Sequence, residues 1–182
     1  MGSSIFKYKE QVVVVLKDAA TGKVLMRHEL EPNIVTNEGD KYYAQRGAAS
    51  TPTYTFNKGM LVVAKSYARA ATKVATFRDF KGIATSLTGR QSFDSGYPKT
   101  NDSDTDNTGR TADAVTYKRT YSTSQANYTI KALGICRFQA TSNGAANSRV
   151  LLSYKTLSAA QQVTKTSSQT LVVYVNHTFN GI

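Results

Sequence analysis

Alternating carboxylates in the middle of the chain form the one segment with the pattern of a metal site. Asp102, Asp104 and Asp106 alternate as in a calcium-binding loop, and Asp113 falls where such a loop places its last ligand. The pattern departs from that loop at Asn107, where a glycine is expected, and at Asp113, where a bidentate glutamate is expected. Two interpretations therefore stay open: a calcium site formed by these four carboxylates, or a surface loop rich in Asx turns whose acids meet basic residues of a neighbour.

Groups suited to catalysis are scarce elsewhere. His28 and His177 both alternate with apolar residues, so we expect packed or surface strand histidines, and Cys136 lies in an apolar run that predicts a small buried side chain. Glycoside hydrolysis needs a pair of carboxylates, and between Asp40 and the acidic segment the sequence has only Asp79 and Asp94. HxxxH, CxxC, GxSxG, P-loop and GxGxxG motifs are absent from the sequence. These observations predict a protein without enzymatic activity.

Acidic residues are absent from the sequence after residue 113, so this part carries only positive charge. The formal net charge is +11, and the last acidic residue is Asp113. Seven basic residues follow it without an acid: Lys118, Arg119, Lys131, Arg137, Arg149, Lys155 and Lys165. They must face solvent, pair with the first half, or meet an acidic partner, either nucleic acid or the surface of another protein. We therefore treat all seven as candidate partner-binding residues.

Tyrosines also lie beside basic residues along the chain, notably at residues 41–43 and 117–121. Tyrosine beside lysine can stack bases and neutralise phosphates, as in proteins that bind single-stranded nucleic acid. Alternation along a strand, however, places each lysine on the opposite face from its tyrosine neighbour. Nucleic acid is therefore the less favoured partner and stays an alternative.

The elements that carry these residues have the periodicity of strands. Residues 11–16 and 23–30 predict a hairpin around the turn residues 18–22, and residues 33–37 predict a third strand. Residues 38–46 predict a short capped helix because acids come early and bases late.

Further along, residues 53–56 and 59–66 predict a second hairpin, and residues 74–80 alternate like a strand. Residues 88–113 form a polar, turn-rich acidic loop, which we expect to serve binding or assembly. Four strand-like runs follow, at residues 114–121, 126–138, 149–157 and 169–179, with a turn at 142–144.

These patterns predict an all-β fold: one domain over residues 1–182, a β-sandwich or jelly roll with one or two short helices. A membrane span, a secretory signal and a myristoylation signal are not visible in the sequence. The single cysteine excludes an intrachain disulfide, which fits assembly in a reducing compartment.

Three stretches resemble uncharacterised virion structural proteins of tailed phages. The first is Thr21-Gly22 followed by residues 31–46, and it contains Asn33-Ile34-Val35-Thr36-Asn37-Glu38-Gly39 between a hairpin and a short helix. The second covers residues 97–109 and continues into 115–121, and the third is the closing segment at 163–181. Together they cover about a third of the chain and are spread along all of it.

The resemblance implies a capsid decoration (cement) protein or a tail or adaptor component, assembled into the virion in the host bacterial cytoplasm. The small size and the lack of fibre repeats and catalytic groups favour the decoration protein. Its partners would be the major capsid protein and further copies of itself, with no membrane and no catalytic residues. The alternatives are a tail, baseplate or head–tail adaptor subunit and, from a different class, a protein that binds single-stranded nucleic acid. No cofactor is expected apart from calcium at the acidic loop.

Overall fold

Antiparallel strands are the main secondary structure of the described residues. The computed structural model describes residues 7–30, 33–67, 72–74, 80–81, 89–107, 113–137 and 150–180. Within this part of the chain the elements are β1 (Lys7–Asp18), β2 (Val24–Leu30), β3 (Ile34–Val35), α1 (Asn37–Gly47), β4 (Met60–Ala64), β5 (Ser66–Tyr67), β6 (Phe80–Lys81), β7 (Arg90–Ser92), β8 (Ala114–Tyr121), β9 (Thr129–Ile130), β10 (Ala132–Cys136), β11 (Leu151–Thr156), β12 (Val163–Thr164) and β13 (Gln169–Asn180). The predicted all-β class is confirmed.

Two sheets carry the fold. Sheet one has four strands in the order β2-β1-β13-β8, and sheet two has five in the order β3-β11-β10-β4-β7. β1 and β13 pair along twelve residues, from Lys7 opposite Asn180 to Asp18 opposite Gln169. β5 with β6 and β9 with β12 form two-stranded ribbons. The central strands of sheet one come from the two ends of the described chain. Lys7 and Asn180, which pair there, are therefore far apart in sequence.

The two sheets pack face to face around one apolar core. Alternate residues of β1 and β13, such as Val14 and Val173, lie in the same buried cluster as Leu61, Leu133 and Leu152 of sheet two. Alternation of side chains along each strand explains how one face of sheet one enters this cluster while the other stays outside. The predicted sandwich arrangement is therefore observed.

The single α-helix in the described residues covers one end of the sandwich. Thr36 caps it, since the Thr36 hydroxyl accepts a hydrogen bond from the Gly39 amide at 3.1 Å. The same hydroxyl donates to the Leu151 carbonyl at 2.5 Å, which ties the first turn to β11. This helix was predicted from its early acids and late base, Arg46, and is confirmed. No helix in the described part of the chain is both long and apolar enough to span a bilayer.

One predicted hairpin is wrong. Residues 53–56 are outside any strand, and β4 pairs instead with β10 and β7, which are distant in sequence. The apolar signal at residue 56 has another origin, because Phe56 is fully buried and its ring packs edge-on against Tyr42 with centroids 5.1 Å apart. Most of the expected strand at 74–80 lies outside the described residues. The turn at 142–144 lies wholly outside them.

Candidate functional site

The acidic segment, residues 94–107, lies along the edge strand β8 and across the outer face of sheet one. Lys99 pairs with Thr116 of β8 through two backbone hydrogen bonds, of 3.0 and 2.8 Å, and the Asp94 amide donates to the Lys118 carbonyl at 2.9 Å. Thr105–Asn107 form a short 3-10 helix at the end of the segment. Of the long loop predicted for residues 88–113, the structure describes residues 89–107 and 113, and β7 lies within it.

A buried polar network fixes this segment to the sheet. The Asn107 side-chain amide donates to the Asp102 carboxylate at 2.8 Å and to the side-chain oxygen of Asn176 at 3.0 Å. The Asn176 amide returns a bond to Asn107 at 2.9 Å, and the Thr116 hydroxyl donates to Asn176 at 2.8 Å. All four side chains are buried and have lost contact with water, so these hydrogen bonds satisfy their donors and acceptors inside the protein.

Asp102 is the centre of that network. Its carboxylate accepts a hydrogen bond from the Tyr97 hydroxyl at 2.9 Å and pairs with Lys99 at 3.0 Å. Burial opposes ionisation of this carboxyl, but the hydrogen bonds from Asn107, Lys99 and Tyr97 outweigh it and hold its pKa below the usual value. Asp102 therefore stays charged inside the protein.

Asp104 and Asp106 face other cations. Lys118 of β8 contacts Asp104 at 2.7 Å, and the Tyr174 hydroxyl donates to the same carboxylate at 2.8 Å. Lys17 of β1 contacts Asp106 at 2.5 Å. Desolvation acts against the charge on Asp104, yet the bonds from Lys118 and Tyr174 leave its pKa lowered.

The three alternating carboxylates thus point to three different lysines of the same chain. Backbone amides of residues 104 and 106 also bond the side chains of Asp102 and Asp104, at 3.3 and 3.1 Å, which is the Asx-turn pattern. No group of three or more His, Cys, Asp or Glu side chains able to hold a metal occurs among the described residues. Asp113 lies in the turn before β8. Calcium binding at these four residues stays a prediction that titration must test.

The basic residues of the second half are not equivalent. Lys118 and Arg119 are half-buried, and each pairs with an acid of the first half, Asp104 at 2.7 Å and Asp94 at 3.5 Å. Lys165 is fully buried, and its ammonium donates to the Asn127 side chain at 2.7 Å. Burial lowers the pKa of Lys165. These three cations thus have partners inside the chain.

Lys131, Arg137 and Lys155 present charge around β10 and β11. Lys131 is exposed, while Arg137 and Lys155 are half-buried. Leu133 pairs with Lys155, and the Leu157 amide donates to the Lys131 carbonyl at 2.9 Å, so the two lysines are diagonal neighbours at one end of the strand pair. Arg137 lies at the other end, with its guanidinium 5.4 Å from the ring centre of Tyr54. Arg149 lies outside the described residues.

A serine and a histidine meet in the core, a contact that the sequence did not reveal. Ser153 and the Nε2 atom of His177 are 3.1 Å apart, and Tyr43 contacts the other ring nitrogen. Both Ser153 and His177 are completely buried, and burial lowers the pKa of His177 to about 3. A nucleophilic serine needs access to substrate. The arrangement is therefore that of a neutral core histidine joining the sheets to α1.

Cys136 is buried as predicted, and desolvation raises the pKa of its thiol to about 12. Of the two carboxyls first considered for glycoside chemistry, Asp79 lies outside the described residues. Asp94 accepts hydrogen bonds from the Thr120 hydroxyl at 2.6 Å and from the Thr120 amide at 3.1 Å. That carboxylate holds the segment against β8.

A shallow pocket of about 260 Å³ opens beside the acidic segment, between the turn at residues 57–59 and the rings of Phe93 and Tyr97. Lys58 is the titratable group at its rim apart from Tyr97. One charged side chain beside two aromatic rings does not define a reaction.

Comparison with family models, with curated proteins and with solved structures found no match for this chain.

Proposed function

We propose that this protein is a structural component of a tailed-phage particle, and within the particle a capsid decoration protein that binds over major capsid subunits. The observation that carries the proposal is the division of charge. Asp102, Asp104 and Asp106 pair with lysines of the same chain, whereas Lys131 is exposed beside its diagonal neighbour Lys155 at one end of β10 and β11. Such a surface suits an acidic protein partner, since complementary charge steers docking and excludes wrong partners.

Three further features support a structural role. The sandwich agrees with the β architecture that the sequence resemblance implies. The Ser153–His177 pair is sealed in the core, and the carboxylates of residues 94–106 brace a loop. A decoration protein needs a rigid body with docking surfaces, and the binding partners would be the major capsid protein and further copies of this chain.

Counting and locating the protein in purified particles tests the proposal. Hundreds of copies on the shell, seen by cryo-electron microscopy, would support decoration. A dozen or fewer at one vertex, or a row along the tail, would mean a tail, baseplate or adaptor subunit instead. Absence from the particle, together with salt-sensitive binding to single-stranded nucleic acid, would overturn the proposal.

Charge reversal tests the docking surface. Lys131→Glu and Lys155→Glu should each weaken binding of the purified protein to particles that lack it, and the loss should shrink as salt rises. Lys58→Glu makes the same change in net charge at an exposed residue of the first half and should bind like the unmodified protein. Equal losses in all three variants would point to net charge alone and against this surface.

A further inference from the structure

β2 is the long open edge of the sandwich. It has seven residues and lies at the end of sheet one, with β1 on one side and no strand of the described chain on the other. Edge strands expose backbone donors and acceptors, and proteins usually shorten, cover or bend them to prevent pairing with another chain.

The other three edges are managed in those ways. The edge strands of sheet two are β3 and β7, which have two and three residues. The outer edge of β8 is covered by residues 94–99, through the hydrogen bonds of Lys99 with Thr116 and of Asp94 with Lys118. β2 is thus longer than the edge strands of sheet two and, unlike β8, has no segment of the described chain hydrogen-bonded along its outer edge.

The side chains of β2 also favour pairing. They alternate between two faces, so the strand can continue the sheet in both its apolar and its charged face. Met26 and Leu30 belong to the inner face and pack on the core, while Arg27 and Glu29 belong to the outer face. Contacts of Glu29 with Arg27 and with the Gln11 amide, the latter at 2.9 Å, hold the carboxylate on that face.

We infer that β2 pairs antiparallel with β2 of a second copy of this chain, with the twofold axis at His28. This register places Arg27 opposite Glu29 of the partner subunit, and by symmetry Glu29 opposite Arg27 of the partner subunit. Met26 then lies opposite Leu30 of the partner subunit on the inner face. The two four-stranded sheets become one continuous sheet, with the apolar faces on the same side.

Neighbouring registers are less favourable. A shift by one residue places inner side chains of one copy beside outer side chains of the other and breaks the continuous apolar face. A twofold axis at Arg27 or at Glu29 places identical charges directly opposite each other, which destabilises strand pairs. Of the axes at residues 27, 28 and 29, the axis at His28 alone pairs opposite charges.

The inference names the self-contact of the proposed decoration protein and depends on that proposal only for its biological role. Purified protein in solution tests it without particles, so its failure would leave the particle assignment standing. Sedimentation equilibrium of the unmodified chain should show a dimer. Arg27→Glu and Glu29→Arg should each weaken association about tenfold or more, because each creates two like-charge pairs.

Combining Arg27→Glu with Glu29→Arg restores both pairs across the axis and should restore the dimer. Lys58→Glu, with the same change in net charge as Arg27→Glu, should dimerise like the unmodified chain. Circular dichroism identifies any variant that fails to fold. A monomer at every concentration, or a dimer insensitive to both single reversals, would overturn the inference.

Cross-linking tests the register independently. Identical residues meet only on a twofold axis, so His28→Cys should form a disulfide-linked dimer under mild oxidation. Leu25→Cys, on the same strand but off the axis, should cross-link far more slowly. A faster reaction at residue 25 would show that β2 pairs in another register or does not pair with itself.

Discussion

Asp102 differs from its neighbours in the acidic segment because its side chain has no exposed surface, whereas the Asp106 side chain is 21% exposed. Asp102→Asn removes the charge that organises buried donors from Asn107 and Tyr97, so we expect it to lower the free energy of unfolding by about 1–3 kcal/mol. Asp106→Asn breaks a partly exposed ion pair and should cost less than about 1 kcal/mol. Urea unfolding of both variants at neutral pH measures the difference, and equal losses would contradict the central role of Asp102.

His177 makes stability depend on pH. Burial lowers its pKa to about 3 in the folded protein, while an unfolded histidine titrates near pH 6.5. Below about pH 6.5 the unfolded chain binds a proton that the folded chain does not, so this residue removes up to about 1.4 kcal/mol of stability per pH unit as pH falls. The effect is absent above that pH and is complete only below the folded pKa.

Unfolding free energies between pH 6.5 and 5 measure this slope before most carboxylates protonate. We expect His177→Asn to flatten it by about one proton. If that variant does not fold, an NMR titration of the unmodified protein decides, because the His177 imidazole should stay neutral at pH 5. A ring that titrates near pH 6.5 would contradict the prediction.

At the scale of elements, α1 approaches β11 closely through Gly39. A methyl group added at Gly39 would lie 2.7 Å from a Val35 methyl and would also overlap the Leu152 carbonyl oxygen. We expect Gly39→Ala to destabilise the protein by about 1–3 kcal/mol even though alanine favours helices. Gly47→Ala is the matched control at the other end of α1, where nothing lies within 4 Å, and should be neutral or slightly stabilising. Thermal unfolding compares them, and a stabilised Gly39→Ala variant would refute the close contact.

Strand identity could be predicted for elements whose signal is local. The β1–β2 hairpin has turn residues between alternating runs, and α1 has Thr36 and its early acids. β2 and α1 were therefore predicted to within one residue of their observed bounds, whereas β1 begins four residues earlier than predicted and ends two residues later. The hairpin at 53–66 was wrong because β4 finds its partners, β10 and β7, far along the chain, and no local pattern encodes that choice.

The site was predicted in composition but not in geometry. The sequence identified Asp102, Asp104 and Asp106 as a unit, and Lys99 is a local partner of Asp102, but Lys118 and Lys17 reach Asp104 and Asp106 only through the sheet. Asn176 could have predicted part of this geometry, because a buried polar side chain in an otherwise apolar strand requires a hydrogen-bond partner. The Ser153–His177 contact gave none, because it depends on how the two sheets pack.

At the scale of the whole molecule, the acidic segment lies across the outer face of sheet one. Val13, Val15, Val172 and Tyr174 form a small buried cluster on that face, separate from the core between the sheets. Ion pairs and the Asn107–Asn176 network attach the described part of the segment. Its attachment should therefore be lost more easily than the sandwich itself.

Replacing Asp102, Asp104 and Asp106 together by asparagine should detach the segment while the sandwich stays folded. We expect fast proteolytic cleavage between residues 97 and 107 and faster amide exchange of Thr116 and Lys99, with circular dichroism unchanged. Asp40→Asn, which removes an exposed pair with Lys73, is the control and should leave cleavage unchanged. Calcium decides the remaining alternative: a bound ion would raise the unfolding temperature of the unmodified chain and not of the triple variant. Unchanged protection in the triple variant would show that the carboxylates do not hold the segment in place.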